Sequence, residues 1–191
     1  MNIETVLSPG KHFSYNGIEF VCLNISDDKM LAITAKIIET MEFSNIEFLD
    51  DDCENVSNNW KQSVVRAWLN EEFIKCFDKD DLIIQTSDLN ADDKQYGTCE
   101  DYITLLSYEQ YETYRDIIPH YNVRTWTVTP WLCIAPDGYI VRHVYPSGDL
   151  DYYNAYYEHG LAPVCLFNLD HAKNIKLDYT DEIKEVLDYE T

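Results

Sequence analysis

The sequence predicts an α+β fold, with small twisted antiparallel sheets arranged around one central helical block. Three observations carry this expectation. Asn16-Gly17 sits between two apolar stretches, the strongest short-range signal for a β-hairpin. From Trp60 to Phe77 apolar residues recur at three- and four-residue steps, the period of an amphipathic helix. From Trp126 to Leu169, short apolar runs are punctuated by prolines and by Asp137-Gly138, a spacing that suits short strands. Strands on both sides of one helical block, with no internal repeat or low-complexity linker, argue for a single domain over residues 1–172. Residues 173–191 are expected to form an acidic tail or a loosely docked short helix.

The elements follow in order. Phe13 to Ile25 reads as two strands joined at the Asn-Gly turn, and Lys29 to Ile38 as a third, after the turn-like Ser26-Asp27-Asp28. The three form an antiparallel meander. Thr40 to Asn59 is polar and acidic and reads as a loop. In the helical block, Val64, Val65, Trp68, Leu69, Phe73, Ile74 and Phe77 share a face, with a break placed near Asn70. Asp80 to Ile84 is expected to start a strand and Ser87 to Gly97 to be a loop. Asp101 to Tyr114 starts extended and turns helical at Ser107, where Gln110 completes a capping box. Trp126–Ile134, Tyr139–Tyr145 and Pro163–Leu169 read as strands. Ile183, Val186 and Leu187 give the last stretch a weak helical face.

Charge is the strongest compositional signal: 35 Asp and Glu oppose 14 Lys and Arg, a net −21. Direct contact with DNA or RNA needs a basic patch to neutralise phosphates, so it is not expected, and an anionic membrane would repel this chain. A basic partner would be drawn in from a distance. Hydrophobic residues at 46% and aromatics at 14% are too many for a disordered polyanion. The 15 tyrosines combine apolar area, a polar tip and few rotors, which suits exposed contact surfaces. They equally suit a Tyr-rich β core with phenols at its rim. Met1 to Lys11 lacks a basic segment followed by an apolar one, and apolar runs are too short to span a bilayer. Cys22, Cys53, Cys76, Cys99, Cys133 and Cys165 are evenly scattered. In a chain with ample core this favours free, partly buried thiols and a cytoplasmic setting.

Several segments occur together in a recognisable order: Trp60 to Phe73 (with its Ser-x-x-Arg-x-Trp-Leu-Asn-x-x-Phe core), Thr98 to Asp101, Leu105 to Glu109, Trp131-Leu132 and Gly160 to Leu166. Together they resemble domain-of-unknown-function family 6273 of bacterial, phage and mobile-element proteins, over about Gly10 to Asp170. The resemblance implies a fold similar to C-type-lectin-like and formylglycine-generating-enzyme-like domains, used to display binding surfaces. Two positions depart from the family pattern, with Cys133 and Ala162 standing where arginine is frequent. Read from their own chemistry, Trp60, Trp68, Leu69 and Phe73 belong to the core. Arg66 is suited to a buried carboxylate pair, and Asn70 to ending a helix.

No residue pattern selects a catalytic or metal site. His12, His120, His143, His159 and His171 are scattered, without HExxH or paired CxxC. Asp50-Asp51-Asp52 with Glu54 could hold a hard cation, yet it lacks the spaced carboxylates and glycine of an EF-hand loop. Cys133 and Cys165 lie among apolar neighbours that keep a thiol protonated. There is no GxSxG and no glycine-rich phosphate loop. The chain is therefore expected to be non-catalytic and to need no cofactor and no metal.

Two binding readings remain, with an enzyme built on an unrecognised carboxylate site among the 35 acids as a third and weaker one. In the first, the chain is an acidic nucleic-acid mimic of phage or mobile-element origin. It inhibits a basic nucleic-acid-binding host protein, in the manner of an anti-CRISPR inhibitor, through Asp50, Asp51, Asp52, Glu54, Glu71, Glu72, Asp80, Asp81, Asp92 and Asp93. Asp78, Asp88 and the Glu100-Asp101 pair extend these clusters. In the second, it is a lectin-like display module. Ser147 to His159, with Tyr152, Tyr153, Tyr156 and Tyr157 among acids and Asn154, has the composition of an adaptable binding loop. The same segment also fits an edge strand with tyrosine on one face.

Overall fold

The computed structural model describes residues 7–44, 58–91, 96–133 and 137–177. They form a mostly antiparallel β structure with two short helices, an α+β arrangement. The strands are β1 (His12–Tyr15), β2 (Ile18–Ser26), β3 (Lys29–Thr34), β4 (Glu39–Glu42), β5 (Gln85–Asp88), β6 (Thr98–Asp101), β7 (Ile103–Thr104), β8 (Thr125–Pro130), β9 (Ile140–Val144), β10 (Leu150–Asn154), β11 (Glu158–Leu161), β12 (Val164–Asn168) and β13 (Ile175–Leu177). The helices are α1 (Val64–Glu71) and α2 (Tyr108–Tyr114). One sheet has six strands in the order β13-β1-β2-β3-β12-β7, a second has five in the order β10-β9-β8-β11-β4, and β5 and β6 form a ribbon. Within the five-stranded sheet β11 runs parallel to β8, meeting it at Gly160 and Thr125.

Local chemistry explains the elements that begin the chain. Asn16 and Gly17 both take positive φ, 49° and 85°, the left-handed pair that matches the twist of a two-residue hairpin. Asp27 (φ 54°) turns the chain into β3. In the helical block, Ser63 Oγ accepts from the Arg66 N–H at 3.0 Å and caps α1. The helix ends at Glu71, and Phe73–Cys76 continues as a 3-10 turn that carries Phe73 and Ile74 into the core. Ser107 and Gln110 make the reciprocal capping box that opens α2.

The core fills the space between the six-stranded sheet and the helical block. Phe13, Tyr15, Phe20, Phe77 and Phe167 form one aromatic cluster, with the Phe13–Phe20 and Tyr15–Phe77 pairs stacked at 5.5 and 5.3 Å. Trp60 is fully buried beside Phe43, and Trp68 stacks on Phe73 at 5.6 Å. Arg66 is the expected ion-pair anchor. Its Nε and Nη2 reach Asp101, whose carboxylate also accepts from Trp60 Nε1 at 2.8 Å.

Five expectations are corrected. Glu39–Glu42, read as loop, is an edge strand of the five-stranded sheet. Lys79–Asp81 is a 3-10 turn capped by the Asp78 side chain, and the strand expected at Asp80 to Ile84 reduces to a lone bridge from Leu82 to Phe167. The strand forms instead at Gln85–Asp88, overlapping the stretch read as loop at Ser87 and Asp88; only Gln85 is buried there, so hydropathy alternation is faint. Asn70 does not end the helix. Its amide donates to Ile103 O (2.9 Å) and accepts from the Ile103 N–H (3.2 Å), so it pairs with the edge of β7 as a neighbouring strand would. Ile175–Leu177, expected in the tail, pairs antiparallel with β1, with Ile175 buried opposite Tyr15. Ile183, Val186 and Leu187 lie outside the described residues. No helix among the described residues is long and apolar enough to cross a membrane.

Candidate binding surface at the tyrosine-rich edge

The tyrosine-rich segment is strand and turn rather than loop. β10 is an edge of the five-stranded sheet, paired with β9 so that Asp151 faces His143, Tyr152 faces Arg142 and Tyr153 faces Val141. Side chains alternate across a strand, so neighbouring tyrosines serve opposite faces. On one face Tyr152 packs on Trp131 at 4.2 Å. Arg142 lies over Trp131 at 4.8 Å and over Tyr108 at 4.4 Å. On the other face Tyr153 meets Tyr157 at 4.6 Å, and Tyr157 meets Tyr156 at 4.8 Å. Arg124 lies over Tyr153 and Tyr145. Tyr152 and Tyr157 are each 44% exposed, a large share for aromatic rings outside a crowd of polar neighbours.

The free side of β10 is partly capped against strand pairing. The Tyr145 N–H donates to Asp149 O and the Ala155 N–H to Tyr139 O. Antiparallel bonding alternates, so odd-numbered residues of β10 bond inward and Leu150, Tyr152 and Asn154 point their backbone outward. The outward Tyr152 N–H is taken by Asp151 Oδ1 at 2.9 Å, and Asn154 O accepts from the Tyr157 N–H. The opposite edge uses the same device, with the Thr40 N–H donating to Glu39 Oε1 at 2.9 Å. Both edges thus carry a carboxylate cap that blunts edge-to-edge association. What β10 offers a partner is side chains, not backbone.

Beneath Tyr153 lie two buried histidines. His143 is 0% and His159 4% exposed. Their rings meet at 4.9 Å and 76°, and His159 stacks on Trp126 at 3.9 Å and 17°. His159 Nδ1 lies 2.6 Å from Glu158 O, which fixes Nδ1 as the protonated nitrogen. Its Nε2 and both ring nitrogens of His143 find no hydrogen-bond partner among the described residues. Burial lowers both imidazoles to about 4, with the neighbouring histidine a further cause for His143 and Arg124 for both.

Other chemistry-bearing groups serve the core. Burial raises the Cys22 thiol to about 11, and raises Cys99 and Cys165 as well. No group of three or more His, Cys, Asp or Glu among the described residues could hold a metal ion. The cavity between α2, residues 117–123 and β8–β9, lined by Tyr111, Ile118 and Val144, encloses about 30 Å³, room for one water.

The structure sorts the residues singled out from sequence. Glu71, Glu72 and Asp80 are exposed, and Glu72 pairs with Lys75 at 2.6 Å. Asp81 is not a surface group. It is 6% exposed and accepts from the Tyr15 hydroxyl at 2.7 Å, because the capped turn points it into the aromatic cluster. Asp101 is likewise buried. Asp50, Asp51, Asp52, Glu54, Asp92 and Asp93 lie outside the described residues. Tyr153, Tyr156 and Tyr157 come together on one face at β10, while Tyr152 lies on the other against Trp131. Trp131, Arg142, Tyr108 and Arg124 complete the surface, and sequence reading missed them as partners. The alternation of Ile140–Val144, which sets Val141 and His143 on one face and Arg142 on the other, was the signal that could have found them. No known protein family, curated protein or solved structure matches this chain.

Proposed function

We propose that the chain is a non-catalytic binding protein for a basic protein partner, and that its contact surface is the tyrosine-rich edge formed by Trp131, Tyr152, Tyr156 and Tyr157. The observation that carries this reading is an exposed aromatic edge, with Tyr152 packed on Trp131 on one face of β10 and Tyr157 packed on Tyr156 on the other, beside a strand whose outward Tyr152 N–H and Asn154 O are already bonded. Tyrosine and tryptophan supply contact area at small entropic cost and dominate contact energies. Asp149 and Glu158 are exposed around it, and Arg124 and Arg142 are engaged on ring faces. Asp149 and Glu158 make no ion pair among the described residues, so the carboxylates and π faces of this border suit cationic side chains. A lectin-like fold displaying this edge, as the family resemblance implies, belongs to the same reading.

The decoy reading has its own support. Between residues 71 and 100, Glu71, Asp78, Asp80, Asp88 and Glu100 are all exposed and make no ion pair among the described residues. Such an array would occupy the groove of a nucleic-acid-binding host protein and inhibit it.

One experiment separates the two. Proteins from a bacterial lysate are captured on wild type, on Y152S/Y157S and on E71Q/D80N/D88N, at low and high salt. A basic protein lost with the tyrosine variant, and held by the charge variant, supports the tyrosine edge. A partner that ignores the tyrosines and leaves at high salt supports the decoy.

A further inference from the structure

We propose that His143 and His159 form a proton-operated latch beneath the tyrosine-rich edge: the neutral imidazoles hold β9, β10 and β11 together, and proton uptake frees the β9–β10 hairpin. Three imidazole nitrogens are buried without a hydrogen bond among the described residues, whereas buried polar atoms are nearly always paired. Both rings are held by aromatic contact instead. His159 lies flat on Trp126, and His143 stands edge-on to Trp126, Tyr145 and Tyr153 at 6.3, 4.8 and 5.9 Å. These contacts tie β8, β9, β10 and β11 to one another through two side chains that can each take a proton.

On balance the surroundings oppose the resulting charge. From the start of β8, Arg124 extends over Tyr145 and Tyr153 and brings a guanidinium to the pair. From the residue that follows β9 comes Tyr145. From β10 come Tyr153 and Asp151, the latter directly across from His143, with one carboxylate oxygen committed to the Tyr152 N–H. From the β10–β11 turn comes Tyr157, next to Tyr153. β4 sets Met41 across from His159, while Glu42 and Glu158 oppose each other on the far face. Asp151 is the carboxylate that favours a charged His143. Against it stand Arg124, the second histidine and the loss of water. Relief comes from exposing the rings, and the edge hairpin that carries His143, Asp151 and Tyr153 has only β8 to part from.

The downward shift of both imidazoles, by burial first, supports the direction. With an ordinary value of 6.5 in the open form and about 4 in the closed form, lowering the pH from 7.5 to 5 raises the open population. The rise is roughly 30-fold for one histidine and near 10³-fold for two. If the tyrosine edge is the contact surface, the same protons release the partner. This consequence alone rests on the proposed function.

Hydrogen exchange of the full chain, read by mass spectrometry at pH 7.5 and 5.0 and corrected for intrinsic rates, tests the latch without any partner. Peptides covering β9 and β10 lose protection by at least 30-fold at pH 5.0, those covering β1–β3 keep theirs, and H143F/H159F abolishes the difference. Equal loss in both sheets, or none in β9–β10, overturns the proposal. Should the double variant fail to fold, the wild-type histidine resonances decide. Midpoints well below 6.5 for His143 and His159, with the β9–β10 hairpin opening in step, support the latch. Midpoints near 6.5 with the hairpin intact overturn it. Either failure leaves the tyrosine-edge reading standing, and an unchanged capture by Y152S/Y157S would sink that reading without touching the latch.

Discussion

Asp101→Ala tests the ionic anchor of the fold. The carboxylate is 3% exposed and the Arg66 side chain 33%. Arg66 donates from Nε at 2.8 and 3.0 Å and pairs from Nη2 at 2.8 Å, while Trp60 Nε1 donates at 2.8 Å and Cys99 Sγ at 3.4 Å. Alanine would strand a half-buried guanidinium and the indole N–H of a fully buried tryptophan. Breaking a buried pair from one side costs about 3–5 kcal/mol. For a chain of this size that lowers Tm by roughly 6–20 °C. Urea and thermal unfolding followed by circular dichroism read both quantities. D101N should fall between, since its amide oxygen can still accept from Trp60. Glu100→Gln, on the exposed neighbour, should change stability by less than about 0.5 kcal/mol. A loss below about 1 kcal/mol for D101A would refute the reasoning, and so would an equal loss for E100Q.

Four other outcomes follow from the same geometry. Asn70→Ala leaves both backbone groups of Ile103 without their partner and should cost about 1–3 kcal/mol in urea unfolding. Gly160→Ala brings a methyl group within 2.8 Å of Val123 Cγ2 and 3.0 Å of Ile37 Cδ1. That overpacking should cost about 1–3 kcal/mol by the same measurement. Asp151→Ala uncaps the Tyr152 N–H and should raise self-association, visible as a concentration-dependent increase in sedimentation coefficient. Acid should destabilise the chain through its buried histidines. Their folded values, about 4, lie below the unfolded 6.5, so the unfolded state binds more protons and stability falls as pH drops from 6.5 toward 4. The loss is about 3 kcal/mol for each histidine by pH 4, and H143F/H159F should remove that slope from a pH series of urea midpoints.

Local chemistry was legible in the sequence wherever one short segment decides the outcome. The Asn16-Gly17 turn and the Ser107–Gln110 box depend on residues a few positions apart, and both formed where expected. Arg66 was also readable as an anchor, though its partner Asp101 reads in the sequence as one more surface acid. The misses share a cause. β4, β5 and β13 are only three or four residues long; β4 and β5 are polar, and β4 and β13 exist because strands distant in sequence pair with them. Asp81 misled in the same way: Tyr15, far away in sequence, makes it a core acceptor. The tyrosines were visible as a composition. Their division between two faces came only with the register of β10 on β9.

The distribution of satisfied and unsatisfied groups bears on where function sits. Elsewhere the chain meets its polar demands with care: Asn70 closes the β7 edge, Asp101 accepts from Arg66, Trp60 and Cys99, and carboxylates cap both edges of the five-stranded sheet. Besides Thr34 Oγ1, the orphan buried side-chain atoms among the described residues all belong to His143 and His159. Folds tend to break local rules at functional places, where stability is set against another demand. Phenylalanine at either position would pack similarly without an unpaired nitrogen. Retaining two histidines under Tyr153, beside the exposed Tyr157, leaves this edge less stable in acid than the rest of the molecule. A strand that must hold and later release its surface requires that difference, and this juxtaposition joins the binding reading to the latch.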